Sequence, residues 1–152
     1  MKICLFDPGL ENNSGIPSAN LGDVIIQEAV RREINSIFEN SEILSISTHS
    51  FPAPEHIDLA RSCSLIFVGG SNLLESKWNK TKLWKITTKH KIQVGRAVLL
   101  GVGWRNYQEP PNLYTKLSLK AVLSNKLVHS VRDNYTKMQF EKAGFKNVIN
   151  TG

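Results

Sequence analysis

The sequence lacks any long uninterrupted run of apolar residues. A membrane-spanning helix needs roughly 18 to 20 such residues, and no stretch of this 152-residue chain approaches that length. The short apolar run that starts at Ile3 is broken by Asp7 and Pro8 before it reaches the length of a signal peptide, and it is typical of a first strand. We therefore expect no membrane span, and a cytoplasmic protein.

Cysteine is scarce as well, since the chain has only two. Cys4 and Cys63 are far apart and lack close cysteine or histidine partners, whereas a zinc site needs clustered ligands. Both lie in or beside apolar runs, which favours buried free thiols. Hydrophobic content of 41% and charged content of 21% are ordinary for a soluble globular protein, and the length suits one well-cored domain.

Acidic residues are absent between Glu75 and Glu109. Residues 1–75 hold 4 of the 19 basic and 10 of the 13 acidic residues, whereas residues 76–152 hold 15 basic and 3 acidic ones. This asymmetry suggests an anionic partner, or a surface that packs on an acidic one. The cations of the acid-free stretch are Lys77, Lys80, Lys82, Lys85, Lys89, Lys91, Arg96 and Arg105.

Two tryptophans, Trp78 and Trp84, stand among these lysines. Such a segment could bind nucleic acid through charge and base stacking, and a solvated surface loop is the alternative interpretation. No helix-turn-helix, zinc-finger or RNP pattern accompanies it. Nucleic acid is therefore not the expected partner.

Hydrophobic periodicity and turn residues predict strands that alternate with helices. The expected strands span residues 2–6, 43–47, 64–70, 97–101, 127–132 and 147–150, and the expected helices span residues 21–38, 56–62, 113–124 and 134–143. Residues 75–96 show the least regular pattern. The alternation indicates an α/β fold, a Rossmann-like parallel sheet flanked by helices, in a single domain over residues 1–152.

The third and fourth predicted strands run into residues that are suited to meeting a ligand. Parallel sheets bind ligands at the carboxyl ends of their strands, and glycine lets a ligand approach the backbone there. These residues are Gly69, Gly70, Ser71 and Asn72 after the third strand, and Gly101 and Gly103 at the fourth. They predict either turns that face a phosphate or a sugar, or tight turns that need positive φ. Neither the P-loop pattern nor G-x-G-x-x-G is present.

Asn20 and Gly22 lie where a loop enters the first predicted helix. Free N–H groups at such a helix end attract anions, and Asp23 could orient or deprotonate a hydroxyl. The alternative is that Asn20 is an ordinary cap and that Asp23 only complements the helix dipole.

Arg132 and Asp133 follow the fifth predicted strand. Arg132 could clamp a carboxylate or phosphate in the crevice, or it could pair with another side chain at the surface. Asp133 is a candidate substrate contact or a helix cap. His129 lies within the strand, where a buried histidine with satisfied hydrogen bonds is the expected outcome.

Taken in order, these motifs resemble those of the polysaccharide pyruvyl transferase family. The matching motifs are NLGD (residues 20–23), LIFVGGS (65–71), LLGVG (99–103), SVRD (130–133), and KAGF (142–145) leading to VINTG (148–152). Ser71 stands where many relatives have a third glycine, and Val102 where a glutamine is common.

The resemblance implies a transferase that moves a pyruvyl group from phosphoenolpyruvate to a sugar of a cell-surface glycan precursor, which is a glycan or lipid-linked sugar acceptor. It implies that residues 1–152 match the N-terminal domain of a two-domain enzyme of the glycosyltransferase-B type, so that a C-terminal domain is missing. Arg132 is then the candidate anion clamp and Asp23 the candidate for hydroxyl orientation or acid/base work. The remaining candidates would contact substrate, and no metal or cofactor is required.

Two alternatives stay open. The chain could be a non-catalytic or truncated α/β module that binds a partner through its basic second half. It could also be half of a sugar-nucleotide glycosyltransferase.

Overall fold

The computed structural model describes residues 1–81 and 83–152. Its strands are β1 (Lys2–Asp7), β2 (Glu42–Ser47), β3 (Leu65–Leu74), β4 (Val98–Trp104), β5 (His129–Val131) and β6 (Val148–Asn150). Its helices are α1 (Leu21–Ile37), α2 (Pro54–Ser62), α3 (Thr88–Val94), α4 (Leu113–Val122) and α5 (Asn134–Lys142). Every strand pairing is parallel, in the order β2-β1-β3-β4-β5-β6, which confirms the Rossmann-like α/β prediction.

The strand order leaves the two faces of the sheet unequally covered. Only the crossover from β1 to β2 moves toward the β2 edge, so right-handed connections place α1 on one face and α2 to α5 on the other. The larger core cluster accordingly joins the sheet to α2–α5, with Ile57 and Phe140 fully buried. A smaller cluster, which includes Ile34, lies under α1. Among the described residues no helix covers β5 and β6 on the α1 side.

Helix α1 places a short row of buried residues against the sheet. Its buried side chains are Asp23, Gln27 and Ile34, whose spacing forms one row along the sheet. Two apolar residues of the same helix, Leu21 and Ile25, are 74% and 66% exposed. The row that faces the sheet is polar at its N-terminal end because it meets the carboxyl edge of the strands.

The acid-free stretch is more ordered than the sequence suggested. It contains α3, which Thr87 caps and which ends at Gly95 with φ 55°. Trp78 and Trp84 are buried and stack on each other at 5.7 Å, and Lys91 Nζ lies 3.7 Å from the centre of the Trp78 ring. The two tryptophans therefore belong to the core, so the solvated-loop interpretation is wrong for these side chains, and they offer no ring to a nucleic-acid base. Lys82 lies outside the described residues.

The turns predicted at residues 69–72 and 101–103 are also wrong, because both segments are strand. Gly69 pairs with Leu100 and Ser71 pairs with Val102, and the pairing becomes irregular between Ser71 and Leu74. A Cβ on Gly69 would lie 2.3 Å from Gln27 Oε1. Glycine is needed there for close packing of α1 against an extended strand, not for a turn.

The expectations for the two cysteines and for a membrane span can be compared with the structure. Cys4 and Cys63 are free and buried, and burial raises the pKa of the Cys4 thiol to about 12. Within residues 1–81 and 83–152, no helix is both long enough and apolar enough to cross a bilayer.

Candidate functional site

A groove of about 900 Å³ lies between α1 and the part of the sheet that α1 leaves uncovered. Gly70, Ser71, Gly101 and Arg132 line its end at the carboxyl edge of the strands. Side chains of α1, including Ile26 and Val30, and Leu100 of β4 give it apolar walls, and Ser130, Thr151 and Gly152 also line it. Four of the residues singled out from the sequence therefore share one groove.

Asp23 is the centre of a hydrogen-bonded cluster at the N-terminus of α1. Its Oδ1 accepts from Ser71 Oγ at 2.8 Å and its Oδ2 accepts from Asn20 Nδ2 at 2.9 Å, while the residue is 7% exposed. Asn20 Oδ1 accepts from the Gly22 N–H at 3.1 Å, so Asn20 is the helix cap and also holds Asp23. The arrangement ties the start of α1 to β3 and fixes the orientation of the Asp23 carboxylate.

His49 completes this cluster and was not predicted from the sequence. The residue follows β2, and its Nε2 lies 3.0 Å from the Pro8 carbonyl and 3.8 Å from Asp23 Oδ2. The Pro8 contact places the ring proton on Nε2, since a carbonyl can only accept. A lone histidine in a polar loop carries no motif, and only the strand order brings it beside α1.

Arg132 lies close to two other predicted residues, Gly103 and Asn72. A Cβ on Gly103 would lie 2.4 Å from Arg132 Cδ and 2.4 Å from Asn72 Oδ1. The arginine side chain therefore crosses β4 over the bare backbone of Gly103 and approaches Asn72 of β3. Its own side chain is 44% exposed, with Nε 3.7 Å from Asp133 Oδ2, so part of the guanidinium faces the open crevice.

Asp133 has a structural role in this geometry. Its Oδ1 accepts from the Thr136 N–H at 2.6 Å, which makes it the N-cap of α5. Its other oxygen faces Arg132. Contact between Asp133 and a substrate stays a prediction.

The glycines of the groove floor serve different purposes. Gly70 lies under α1, because a Cβ there would meet Ile26 Cγ2 at 2.9 Å and the Gly101 carbonyl at 3.1 Å. Gly101 has φ 67°, and its N–H donates to Ser130 Oγ at 3.1 Å. A Cβ on Gly22, by contrast, would meet only Asn20, and that glycine is exposed at the start of α1, outside the groove lining.

Two further polar residues under the cluster, Asp7 and Gln27, were not predicted from the sequence as part of the site. Asp7, at the end of β1, is 2% exposed; its Oδ2 lies 2.9 Å from Arg31 Nη2 and its Oδ1 accepts from the Gly9 N–H. Gln27 Nε2 donates to the Gly70 carbonyl at 3.2 Å. An aspartate that directly follows an apolar strand was the available signal for Asp7.

His129 lies away from the groove, as expected. It is fully buried, its Nε2 lies 2.8 Å from the Ser124 carbonyl, and its Nδ1 accepts from the Leu99 N–H at 3.3 Å. Burial lowers the pKa of its imidazole. A neutral histidine with both nitrogens engaged holds β5 to β4.

The groove is lined by one partly free guanidinium, that of Arg132, and by the Ser71 hydroxyl, which is bonded to the fixed carboxylate of Asp23. Such a set can bind a carboxylate or phosphate at one end and orient a hydroxyl at the other. Within the described part of the chain, no three histidine, cysteine, aspartate or glutamate side chains are grouped to hold a metal ion.

Comparison with known proteins bears on these residues directly. A family model described as polysaccharide pyruvyl transferase matches residues 20–152, a range that contains every predicted site residue. No curated protein and no solved structure gives a significant match to the chain.

Proposed function

The chain belongs to the polysaccharide pyruvyl transferase family, and on that premise we propose that it transfers a pyruvyl group from phosphoenolpyruvate to a sugar of a cell-surface glycan precursor. The observation that carries the proposal is the groove in which Arg132 and Ser71 lie together. Arg132 follows β5 and Ser71 belongs to β3. These strands are two positions apart in the sheet, so the two backbones are separated by about 10 Å.

Arg132 is proposed to bind the carboxylate of phosphoenolpyruvate. A guanidinium offers two parallel N–H donors to a carboxylate and stays charged at every physiological pH. Gly103 gives the arginine room to lie across β4. Apolar walls around the groove strengthen such a contact because they exclude water.

Ser71 and Asp23 are proposed to handle the proton of the attacking hydroxyl. Ser71 Oγ donates to Asp23, so its lone pairs can accept from a sugar hydroxyl while its own proton moves to the carboxylate. The hydroxyl oxygen bonds to the carbon that carries the phosphate, the enol methylene takes a proton, and the C–O bond to phosphate breaks. A second hydroxyl closes the ketal; of the two hydroxyl protons, one ends on the methyl group and one on phosphate.

The rest of the enzyme is part of the same proposal. Residues 1–152 would form one domain, the N-terminal domain of a two-domain glycosyltransferase-B-type enzyme, with the acceptor, a glycan or lipid-linked sugar, held between the domains. The reaction consumes phosphoenolpyruvate, a cytoplasmic metabolite, so we place the protein in the cytoplasm.

A titration followed by backbone amide chemical shifts tests this function. Phosphoenolpyruvate at millimolar concentration is expected to shift the amides of Gly70, Ser71 and Arg132, and to shift them more than inorganic phosphate does. A folded protein whose groove amides do not respond would contradict the proposal. Stronger shifts with a sugar nucleotide would favour the glycosyltransferase alternative, and steeply salt-dependent binding of a polyanion alone would favour the basic binding module.

A further inference from the structure

A second cavity, of about 700 Å³, lies beyond the carboxyl ends of β3 and β4. The segment after β3 contributes Glu75, Lys77 and Lys80, and the segment after β4 contributes Tyr107, Gln108 and Glu109. None of the residues that line the Arg132 groove lines this cavity. Its volume is in the range of cavities that hold small ligands.

The walls of this cavity are held by hydrogen bonds between the two segments. The Ser76 N–H donates to Gln108 Oε1 at 2.7 Å, and the Arg105 N–H donates to the Leu74 carbonyl at 2.7 Å. Tyr135 Oη donates to the Gln108 carbonyl at 2.9 Å, which joins the second segment to α5. A ligand would therefore meet a preformed shape.

Tyr107 is an unusual feature of its rim. The side chain is 88% exposed, although its ring packs edge-on against Tyr135 with centroids 4.7 Å apart. The neighbouring Asn106 has φ 56°, a left-handed conformation that asparagine tolerates, and it turns the chain at this point. An exposed aromatic ring held by a second ring offers a flat apolar surface to a ligand.

Polar groups of both signs surround that surface. Glu75 is 4% exposed, and its desolvation by burial raises the pKa of its carboxyl group. Thr81 Oγ1 donates to that carboxyl group. Glu109, Lys77 and Lys80 are exposed around the opening. Carboxyl, amide and ammonium groups beside an aromatic face are the partners that a ring with several hydroxyl groups requires.

We propose that this cavity is a carbohydrate subsite, which binds a pyranose unit of the acceptor with its ring against Tyr107 and its hydroxyl groups on Glu75 and Gln108. Glu75 of this cavity lies four residues beyond Ser71 of the Arg132 groove, so the backbones of the two sites are at most about 14 Å apart there. A bound glycan can therefore extend from one to the other. The assignment of the sugar as an acceptor rests on the proposed pyruvyl transfer, whereas binding of the sugar itself does not.

The test uses the full chain and a panel of methyl glycosides of neutral, N-acetylated and uronic sugars. At least one of them, at millimolar concentration, is expected to shift the amides of Glu75, Tyr107 and Gln108. Tyr107→Ala is expected to weaken that binding about fivefold, because the stacking surface is lost. Glu75→Gln keeps the shape and is expected to change the ranking among the glycosides.

Lys120→Ala serves as the matched control, because Lys120 lines a different cavity that shares no residue with this one. It is expected to leave glycoside binding unchanged. Glycosides that shift no cavity amide of the folded protein, or that bind Tyr107→Ala as tightly as the unmodified chain, would overturn the proposal. Phosphoenolpyruvate is titrated into the same samples: its failure to bind would contradict the pyruvyl transfer, while glycoside shifts at Tyr107 would still support the subsite.

Discussion

Ser71 combines a backbone cost with a side-chain benefit at a single position. Its φ of 141° lies in a region that favours glycine, yet its hydroxyl donates to Asp23 at 2.8 Å. The resemblance that we drew from the motifs places a glycine here in many relatives. A serine at this point fits a role for the hydroxyl in the site.

We expect Ser71→Gly to be more stable than Ser71→Ala by about 1 kcal/mol. Both variants lose the hydrogen bond to Asp23, and only glycine adopts this φ without cost. Chemical denaturation of the two variants measures the difference. An alanine variant as stable as the glycine variant would show that the backbone here is not strained.

Gly103→Ala is expected to weaken phosphoenolpyruvate binding about tenfold. The new Cβ would lie 2.4 Å from both Arg132 Cδ and Asn72 Oδ1, so the arginine must leave its present path. Affinity is measured by calorimetric titration. In an Arg132→Ala background the same change should have little further effect; a full additional loss would mean that Gly103 does not act through Arg132.

Individual residues show which part of the candidate site could be predicted from the sequence and which part could not. Asn20, Asp23 and Ser71, and likewise Asn72, Gly103 and Arg132, come together because the ends of neighbouring parallel strands and the start of α1 meet at one edge. His49 could not be predicted in the same way. Its partner Asp23 lies 26 residues earlier in the chain, and only the folded arrangement of β2 beside β1 joins them.

At the scale of elements, strands β3 and β4 show why boundaries were harder to predict than element types. Gly69 and Gly70 end an apolar run, and a glycine pair is normally a turn signal. Here the chain continues as strand, because α1 packs so closely that any side chain at Gly69 would strike Gln27. A glycine pair is found both at turns and where a helix packs closely on a strand, so the pattern alone cannot separate the two cases.

Strand β5 gives a prediction about pH. Burial lowers the pKa of His129 from its ordinary value of 6.5. Between the lower folded pKa and the ordinary pKa, the unfolded chain binds a proton on His129 and the folded chain does not. The contribution of neutral His129 to stability is therefore complete above the ordinary pKa and is lost as the pH falls through the lower folded value.

We expect the unfolding temperature to drop on acidification below pH 6.5, with a smaller drop for His129→Gln, which cannot be protonated in this range. Thermal unfolding at a series of pH values measures the slope. His90→Gln is measured alongside, because burial and Lys89 lower the pKa of that histidine too, and a smaller drop is expected for that variant as well. Equal slopes for the unmodified chain and His129→Gln would contradict the account of β5.

At the scale of the whole molecule, the fold class followed from the sequence because strand and helix periodicities alternate along most of the chain. The groove could not be predicted from the sequence, because its position depends on which face of the sheet each helix covers. Right-handed crossovers put four helices on one face and α1 on the other among the described residues. The groove is the space that this imbalance leaves beside α1.

We expect residues 1–152 alone to show little steady-state pyruvyl transfer. In the proposed two-domain arrangement the opposite wall of the site belongs to a second domain, and closure between domains excludes water from the reaction. Release of phosphate from phosphoenolpyruvate in the presence of an acceptor glycan measures the turnover. Rapid turnover by this chain alone would contradict the arrangement.

The central claim is that Arg132 anchors phosphoenolpyruvate in the groove beside α1, and its most direct test is the affinity of the chain for that ligand. We expect Arg132→Ala to weaken phosphoenolpyruvate binding at least about tenfold, since a charge-assisted contact to a carboxylate is lost. The affinity of Arg132→Lys is expected to lie between those of the unmodified chain and Arg132→Ala. Arg32→Ala, which removes an exposed arginine of α1, should bind like the unmodified chain. Unmeasurable binding to the unmodified chain, or an Arg132→Ala variant that binds as tightly, would contradict the claim.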